Sequence, residues 1–227
     1  MNKCVILFDL DGTLIDSTDA ILKCFDDSFK HFGLETPADE KIKALIGHPL
    51  DYMYAHLGIE KEKVWDFVDV YKMHYRERSK PMTYFLPEAV EAIKEAATFA
   101  RLGIVTTKTG SYSRILLEHM GVMDYFEVLI GREDVTHPKP HPEPILKALH
   151  QMGVKQENEK FSNNIWMIGD TCLDIVSAKD AGIESIGVRC GYGSDEELAR
   201  CGKKLQNNTL MAVKHIKKIN KAYIKSY

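Results

Sequence analysis

The sequence predicts an α/β protein: a Rossmann-like, three-layer parallel sheet core with an all-helical cap domain inserted into it. Three observations carry this. A wholly apolar run, Val5-Ile6-Leu7-Phe8, opens the chain and stops abruptly at Asp9-Leu10-Asp11-Gly12-Thr13. Such a run reads as a short strand buried on both faces. From Tyr84 onward, strand-like and helix-like segments alternate, as parallel pairing through right-handed crossovers requires. Between residues 17 and 81 there is no strand signal, so this stretch reads as a helical insertion. We therefore expect a core formed by residues 1–15 and 82–227 and a cap formed by 16–81.

Each element has its own signal. Ser17-Thr18-Asp19 is a helix start. Ile21, Phe25 and Phe29 follow at helical spacing, with Cys24 and Phe32 on the same side, and Gly33 stops the helix. Further helices are expected over Asp39–Ile46, Pro49–Leu57 and Lys61–Ser79, with Gly47 and Gly58 between them. Pro87 begins a helix that carries Val90, Ile93 and Ala97. Arg101–Thr106 is then a strand, Ser111–Met120 a helix, Phe126–Ile130 a strand and Pro142–Met152 a helix. Ile165–Ile168, Asp174–Ala181 and Ser185–Val188 continue the alternation as strand, helix and strand. The lysine-rich tail, Lys214 to Lys225, reads as a helix with a solvated basic face.

Composition narrows the function. With 44% hydrophobic and 28% charged residues, the chain has the make-up of an ordinary globular protein. A formal net charge of −3 argues against a protein held on nucleic-acid backbone. Cys4, Cys24, Cys172, Cys190 and Cys201 form no CxxC pair. Each is expected as a small buried hydrophobe in a reducing compartment. There is no signal peptide and no apolar run of membrane-spanning length. A cytoplasmic protein is expected, with no nucleic-acid or membrane partner.

The strand ends carry the chemistry. Burial favours the first strand but penalises a bare carboxylate, so Asp9 and Asp11 should lie where that strand leaves the sheet. In open parallel sheets, ligands bind at that edge. Two converging carboxylates repel unless a cation lies between them, and hard oxygen ligands suit Mg2+. Gly12 permits a sharp turn and offers an unhindered N–H to an anion. A plain Asp-Gly turn closing a strand is the alternative. Thr106-Thr107 ends the next core strand, where a hydroxyl and exposed amides can hold a phosphate oxygen. His137-Pro138-Lys139-Pro140-His141-Pro142 holds Lys139 in a stiff loop, as a point charge for phosphate or as an ordinary surface lysine. Gly169-Asp170-Thr171-Cys172-Leu173-Asp174 brings another emergent carboxylate, with a second one helical turn later. An N-cap aspartate followed by a first-turn carboxylate is the alternative there.

The ordered set Asp-x-Asp-Gly-Thr, strand-Thr, Lys-Pro-x-Pro-x-Pro and Gly-Asp-Thr-x-x-x-Asp resembles the haloacid dehalogenase superfamily across essentially the whole chain. Within it, the chain is most similar to the phosphoglycolate phosphatase group and its relatives, bacterial pyrophosphatases among them. The resemblance implies a haloacid dehalogenase-like core with a small helical cap. It implies Asp9 as nucleophile and Asp11 as general acid/base. It places Mg2+ on the Asp9 carboxylate, the Asp11 backbone carbonyl and Asp170, with Asp174 acting through water or on Lys139. Thr106, the Thr107 amide, Gly12 and Lys139 would hold the phosphate. The implied activity is hydrolysis of a small phosphorylated metabolite through an aspartyl phosphate, by a monomer or weak homodimer. A pyrophosphatase, a 5'-nucleotidase, a sugar phosphomutase and an idle phosphate-binding protein are the alternatives. Thr107 stands where the group often has asparagine, and Leu86-Pro87-Glu88 where it often has Pro-Gly. Substrate choice would fall to cap residues, with Lys23, His48, Lys72, His74 and Arg76 as candidates.

Overall fold

The computed structural model describes residues 4–156, 161 and 164–225. Residues 1–3 and 226–227, which belong to the expected core, and the side chains of 222–225 in the lysine-rich tail lie outside the described residues. In chain order, β1 (Cys4–Phe8) leads through the two-residue β2 (Ile15–Asp16) into four helices, α1 (Thr18–His31), α2 (Asp39–Lys43), α3 (Leu50–His56) and α4 (Val64–Arg78). The short β3 (Tyr84–Phe85) then returns to an alternating series: α5 (Ala89–Ala97), β4 (Ala100–Val105), α6 (Gly110–His119), β5 (Phe126–Ile130) and α7 (Glu143–Gln151). It continues as β6 (Ile165–Gly169), α8 (Cys172–Asp180), β7 (Glu184–Val188), α9 (Asp195–Cys201), β8 (Leu205–Gln206) and α10 (Thr209–Lys225).

The expected α/β class is what the chain adopts. Six strands form one parallel sheet in the order β5-β4-β1-β6-β7-β8, so the first strand lies in its interior. Alternation along β1 explains the layers. Cys4, Ile6 and Phe8 face a cluster containing Ile93 of α5, Leu117 of α6 and Val213 of α10. Val5 and Leu7 face the opposite cluster, with Ile145 of α7 and Ala178 of α8. Both faces of β1 are therefore apolar, which accounts for the uninterrupted run. Each such side chain contributes about 1.5–3 kcal/mol when fully buried.

Helices α1–α4 bury a cluster of their own. In α1, Ile21, Cys24, Phe25, Ser28 and Phe29 repeat at three- and four-residue intervals and form its buried face. Phe25 lies on Tyr54 of α3 with ring centroids 4.6 Å apart, and Phe29 meets Phe67 of α4 edge-on at 5.4 Å. Beside these rings, Ser28 Oγ and Tyr54 Oη bond to each other at 2.6 Å. The antiparallel pairing of Ile15 with Phe85 and Asp16 with Tyr84 brings the chain's exit to and return from these helices side by side.

Three sequence expectations change. The helix expected from Pro87 starts at Ala89, because Glu88 takes φ 62°, outside the helical region. The pair β2–β3 is missed, since two residues per strand carry no periodicity. Finally, Cys172 and Cys201 form a disulfide rather than lying free, and Cys190, expected to be buried, is a half-buried thiol, while Cys4 and Cys24 are buried thiols as expected. The two partners are 29 residues apart, and only the packing of α8 against α9 brings them together. No helix among the described residues is long and apolar enough to cross a membrane.

Phe67→Ala should cost about 3–5 kcal/mol, because Phe67 is 2% exposed and packs among Phe29, Phe32 and Tyr54. Urea unfolding followed by circular dichroism measures this. An unchanged midpoint would show that the aromatic cluster contributes nothing to stability.

Candidate active site

Three adjacent strands end at one place. Asp9 follows β1, Thr106 follows β4 and Asp170 follows β6, and these strands are neighbours in the sheet. The Asp9 amide donates to Ile168 O at 2.9 Å and the Thr106 amide to Ile130 O at 2.9 Å, so ladder bonds extend to the functional residues. Asp9, Asp170 and Asp174 each offer a carboxylate oxygen, all within 4.8 Å of one another and all buried. Lys139, 3% exposed, enters from the loop after β5. Its ammonium lies 2.8 Å from Asp9 Oδ1 and donates to Asp174 Oδ1 at 2.5 Å and Val105 O at 2.9 Å. Its hydrogen bonds go to Asp174 and Val105 O, while its contact with Asp9 is an ion pair, and Asp9 Oδ1 accepts no hydrogen bond among the described residues.

The two readings of Asp174 prove compatible. Its Oδ2 accepts from the Thr171 amide at 3.1 Å and the Thr171 hydroxyl at 2.9 Å, capping α8, while its Oδ1 faces Lys139. Asp170 is equally constrained. Thr13 Oγ1 donates to one oxygen at 2.9 Å and the Tyr192 amide to the other at 2.8 Å.

The Gly12 amide, expected to face an anion, instead donates to Ile15 O at 2.8 Å and closes the turn after β1. Glycine is required there for other reasons. Its φ is +80°, and a Cβ would come within 2.3 Å of Asp170 Oδ2.

Asp11 sits apart from the three-carboxylate group. Lys108 Nζ donates to its two oxygens at 3.1 and 2.9 Å, and Ser17 Oγ donates to Oδ1. The same ammonium lies 4.6 Å from the ring centre of Tyr75 on α4. Sequence reasoning missed Lys108, Ser17 and Tyr192. Lys108 had a signal, since it directly follows the strand-end threonines; Tyr192 had none. The Thr107 hydroxyl donates to Gly47 O at 2.7 Å, joining this strand end to the loop between α2 and α3. Of the five cap candidates, His48 and Lys72 line the cavity beside Asp9 and Asp11. Lys23 instead pairs with Asp26 and Asp27, His74 lies 3.8 Å from Asp27, and Arg76 donates to Tyr112 Oη at 2.7 Å.

The electrostatics favour a cation. Burial pushes the Asp9 carboxyl up to about 7, against the pull of the Lys139 ammonium and with a further push from Asp174. Asp170 is raised well above the usual carboxylate range, first by burial and then by the charges of Asp9 and Asp174. Three carboxylates against one ammonium leave two uncompensated negative charges when all are ionised. The donors are hard oxygens, the set that suits Mg2+ and not a thiophilic metal.

Comparison with known proteins agrees with this geometry. A family model described as haloacid dehalogenase-like hydrolase matches residues 6–188. Pyrophosphatase PpaX of Anoxybacillus flavithermus is 34% identical over 202 residues, covering 88% of this chain and 89% of that protein. Phosphoglycolate phosphatase of Yersinia pseudotuberculosis is 28% identical over 201 residues, covering 86% and 84%. Among solved structures, the haloacid dehalogenase-like family protein SP0104 of Streptococcus pneumoniae superposes with a TM-score of 0.80 at 26% identity, covering 94% of this chain and 98% of that one.

The loop that carries Lys139 yields a pH prediction. The Glu143 carboxylate accepts from the amides of Thr136 at 2.8 Å and His137 at 2.9 Å, tying the loop to α7. These bonds, then that from the His137 side chain, hold the carboxyl down at about 2. A carboxyl depressed in the folded state stabilises above its unfolded value, about 4.3, and loses that contribution as pH falls through the folded one. The gap in urea midpoint between wild type and Glu143→Gln should be widest above about pH 5 and close progressively toward pH 2. A gap that widens on acidification would contradict the clamp.

Proposed function

Because the chain belongs to the haloacid dehalogenase-like hydrolase family, we propose that it is a Mg2+-dependent phosphatase of small phosphomonoesters working through an aspartyl phosphate. The single observation that carries this is the buried group of Asp9, Asp170 and Asp174 with one ammonium, Lys139, at the carboxyl edge of the sheet. The relatives' names, pyrophosphatase and phosphoglycolate phosphatase, support phosphate chemistry and make these two compounds the first to assay.

In this reading residues 1–15 and 82–227 form the catalytic core and 16–81 the cap. An Asp9 oxygen attacks phosphorus as the bond to the leaving oxygen breaks. Asp11 gives its proton to that oxygen, then takes one from the water that attacks the aspartyl phosphate, releasing inorganic phosphate. Lys108 holds the Asp11 carboxylate in place through both of its oxygens. The Asp9 carboxylate, the Asp11 backbone carbonyl and Asp170 would hold Mg2+, which when bound supplies positive charge to the phosphoryl oxygens. The Thr106 hydroxyl accepts from the Lys108 amide at 3.2 Å, so its own proton is available to a phosphoryl oxygen. The Thr107 amide lies beside it. Lys139 opposes the upward push of burial on the Asp9 carboxyl, favouring its ionised form, and adds positive charge for the phosphoryl oxygens, the contribution phosphoryl transfer needs most.

Asp9→Asn keeps the shape of the side chain and removes the nucleophile. Phosphate release should fall by on the order of a thousandfold or more, and wild-type activity should vanish in EDTA and return with Mg2+. Near wild-type turnover by Asp9→Asn would contradict covalent catalysis.

A further inference from the structure

The loop that carries Lys139 gathers a second set of metal ligands. Its sequence, His137-Pro138-Lys139-Pro140-His141-Pro142-Glu143, sets prolines between two histidines, a lysine and a glutamate. His137, His141 and Glu143 each offer one ligand atom, all within 4.8 Å of one another. None of them belongs to the group of Asp9, Asp170 and Asp174. Lys139 is buried, whereas His137 and His141 are exposed and open to an ion from solvent.

The backbone that carries these side chains is held at several points. Proline fixes φ at three of the seven positions. The His141 amide donates to Pro138 O at 3.0 Å, and Ser177 Oγ of α8 donates to His141 O at 2.9 Å. The Glu143 carboxylate is oriented by the amides of Thr136 and His137. Ligands held in this way bind an ion with little ordering cost. The side chains are also close to a binding arrangement. His137 Nδ1 lies 2.9 Å from Glu143 Oε2, and the rings of His137 and His141 have centroids 4.7 Å apart. His141 Nδ1 accepts from the Glu143 amide at 3.1 Å, so its lone pair faces the start of α7. Ligand atoms around a tetrahedral zinc ion lie about 3.3 Å apart, given bonds of about 2.0–2.2 Å. The cluster therefore has to close by no more than about 1.5 Å, which exposed side chains can do.

The donor set selects the ion. Imidazole nitrogen suits Zn2+, and two histidines with one carboxylate form the three-ligand set of zinc sites that leave a fourth position to water. Mg2+ prefers oxygen ligands throughout and is served by the aspartates.

We propose that His137, His141 and Glu143 bind one Zn2+ ion per chain on the outer side of the loop that positions Lys139. The ion takes the place of the proton between His137 Nδ1 and Glu143 Oε2, which leaves to solvent, and His141 exchanges its bond from the Glu143 amide for the metal. Zinc then fastens the loop from outside, as the ion pairs of Lys139 fasten it from inside. This assignment is independent of the phosphatase reading.

Isothermal titration with Zn2+ tests it, in excess Mg2+ and without reductant so that the Cys172–Cys201 link persists. Wild type should bind one zinc per chain. His137→Ala and His141→Ala should each weaken that binding at least about tenfold, since even the outer partners of metal ligands are worth that much. Asp170→Asn, which alters the other metal group, should bind zinc as wild type does. X-ray absorption at the zinc edge of the wild-type complex, a readout that needs no variant, should show two imidazoles and no sulfur ligand. No zinc bound by wild type, wild-type affinity in the histidine variants, loss of binding in Asp170→Asn, or sulfur at the zinc would each overturn the assignment.

Discussion

The molecule is built around one buried ammonium. Lys139 lies between Asp9 and Asp174, and a charge so placed is tolerated only when its partners are held in position. The fold holds them by three separate means. Asp9 is tied by the ladder that continues past β1, Asp174 by its own cap on α8, and Lys139 by a proline-stiffened loop clamped through Glu143. Asp170 completes the group from the other side of β1, gripped by Thr13 and Tyr192. The excess negative charge that results suits the site to a divalent cation.

The helical insertion meets this centre through a second, separate ion pair. Lys108 belongs to the core and grips Asp11, yet its ammonium also lies on the face of Tyr75 from the insertion. Ser17, at the start of α1, donates to the same carboxylate. Thr18 and Tyr192 are joined by a hydroxyl–hydroxyl bond of 3.0 Å, and Thr107 bonds to Gly47 O. The proposed acid/base is thus the point where core and insertion meet, whereas the proposed nucleophile belongs to the core alone.

Most of this architecture was legible because burial leaves a direct imprint. A strand covered on both faces must be continuously apolar, and a carboxylate at its end must then mark where it emerges; Asp9 and Asp170 follow from that rule alone. The four helices of the insertion were legible from spacing, since Phe25, Phe29 and their neighbours share a face. What escaped is tertiary. The pair β2–β3 is too short for periodicity, and the Cys172–Cys201 link depends on how two helices pack. Lys108 looks like any lysine after a strand until Asp11 is seen beside it. The Gly12 amide was assigned to a ligand because its bond to Ile15 O forms only once the turn closes. Among the cap cations, Lys23, His74 and Arg76 were indistinguishable in sequence from Lys72 and His48, because only the packing decides which of them line the cavity.

The central claim is that Asp9 itself takes the phosphoryl group. Enzyme quenched during turnover and reduced with borohydride reports this directly, because an acyl phosphate is converted to an alcohol while a free carboxylate is untouched. Mass spectrometry of the peptide containing Asp9 should show homoserine at that position, dependent on substrate and Mg2+. An unmodified Asp9, with the reduced residue elsewhere or absent while phosphate is released at full rate, would contradict the account.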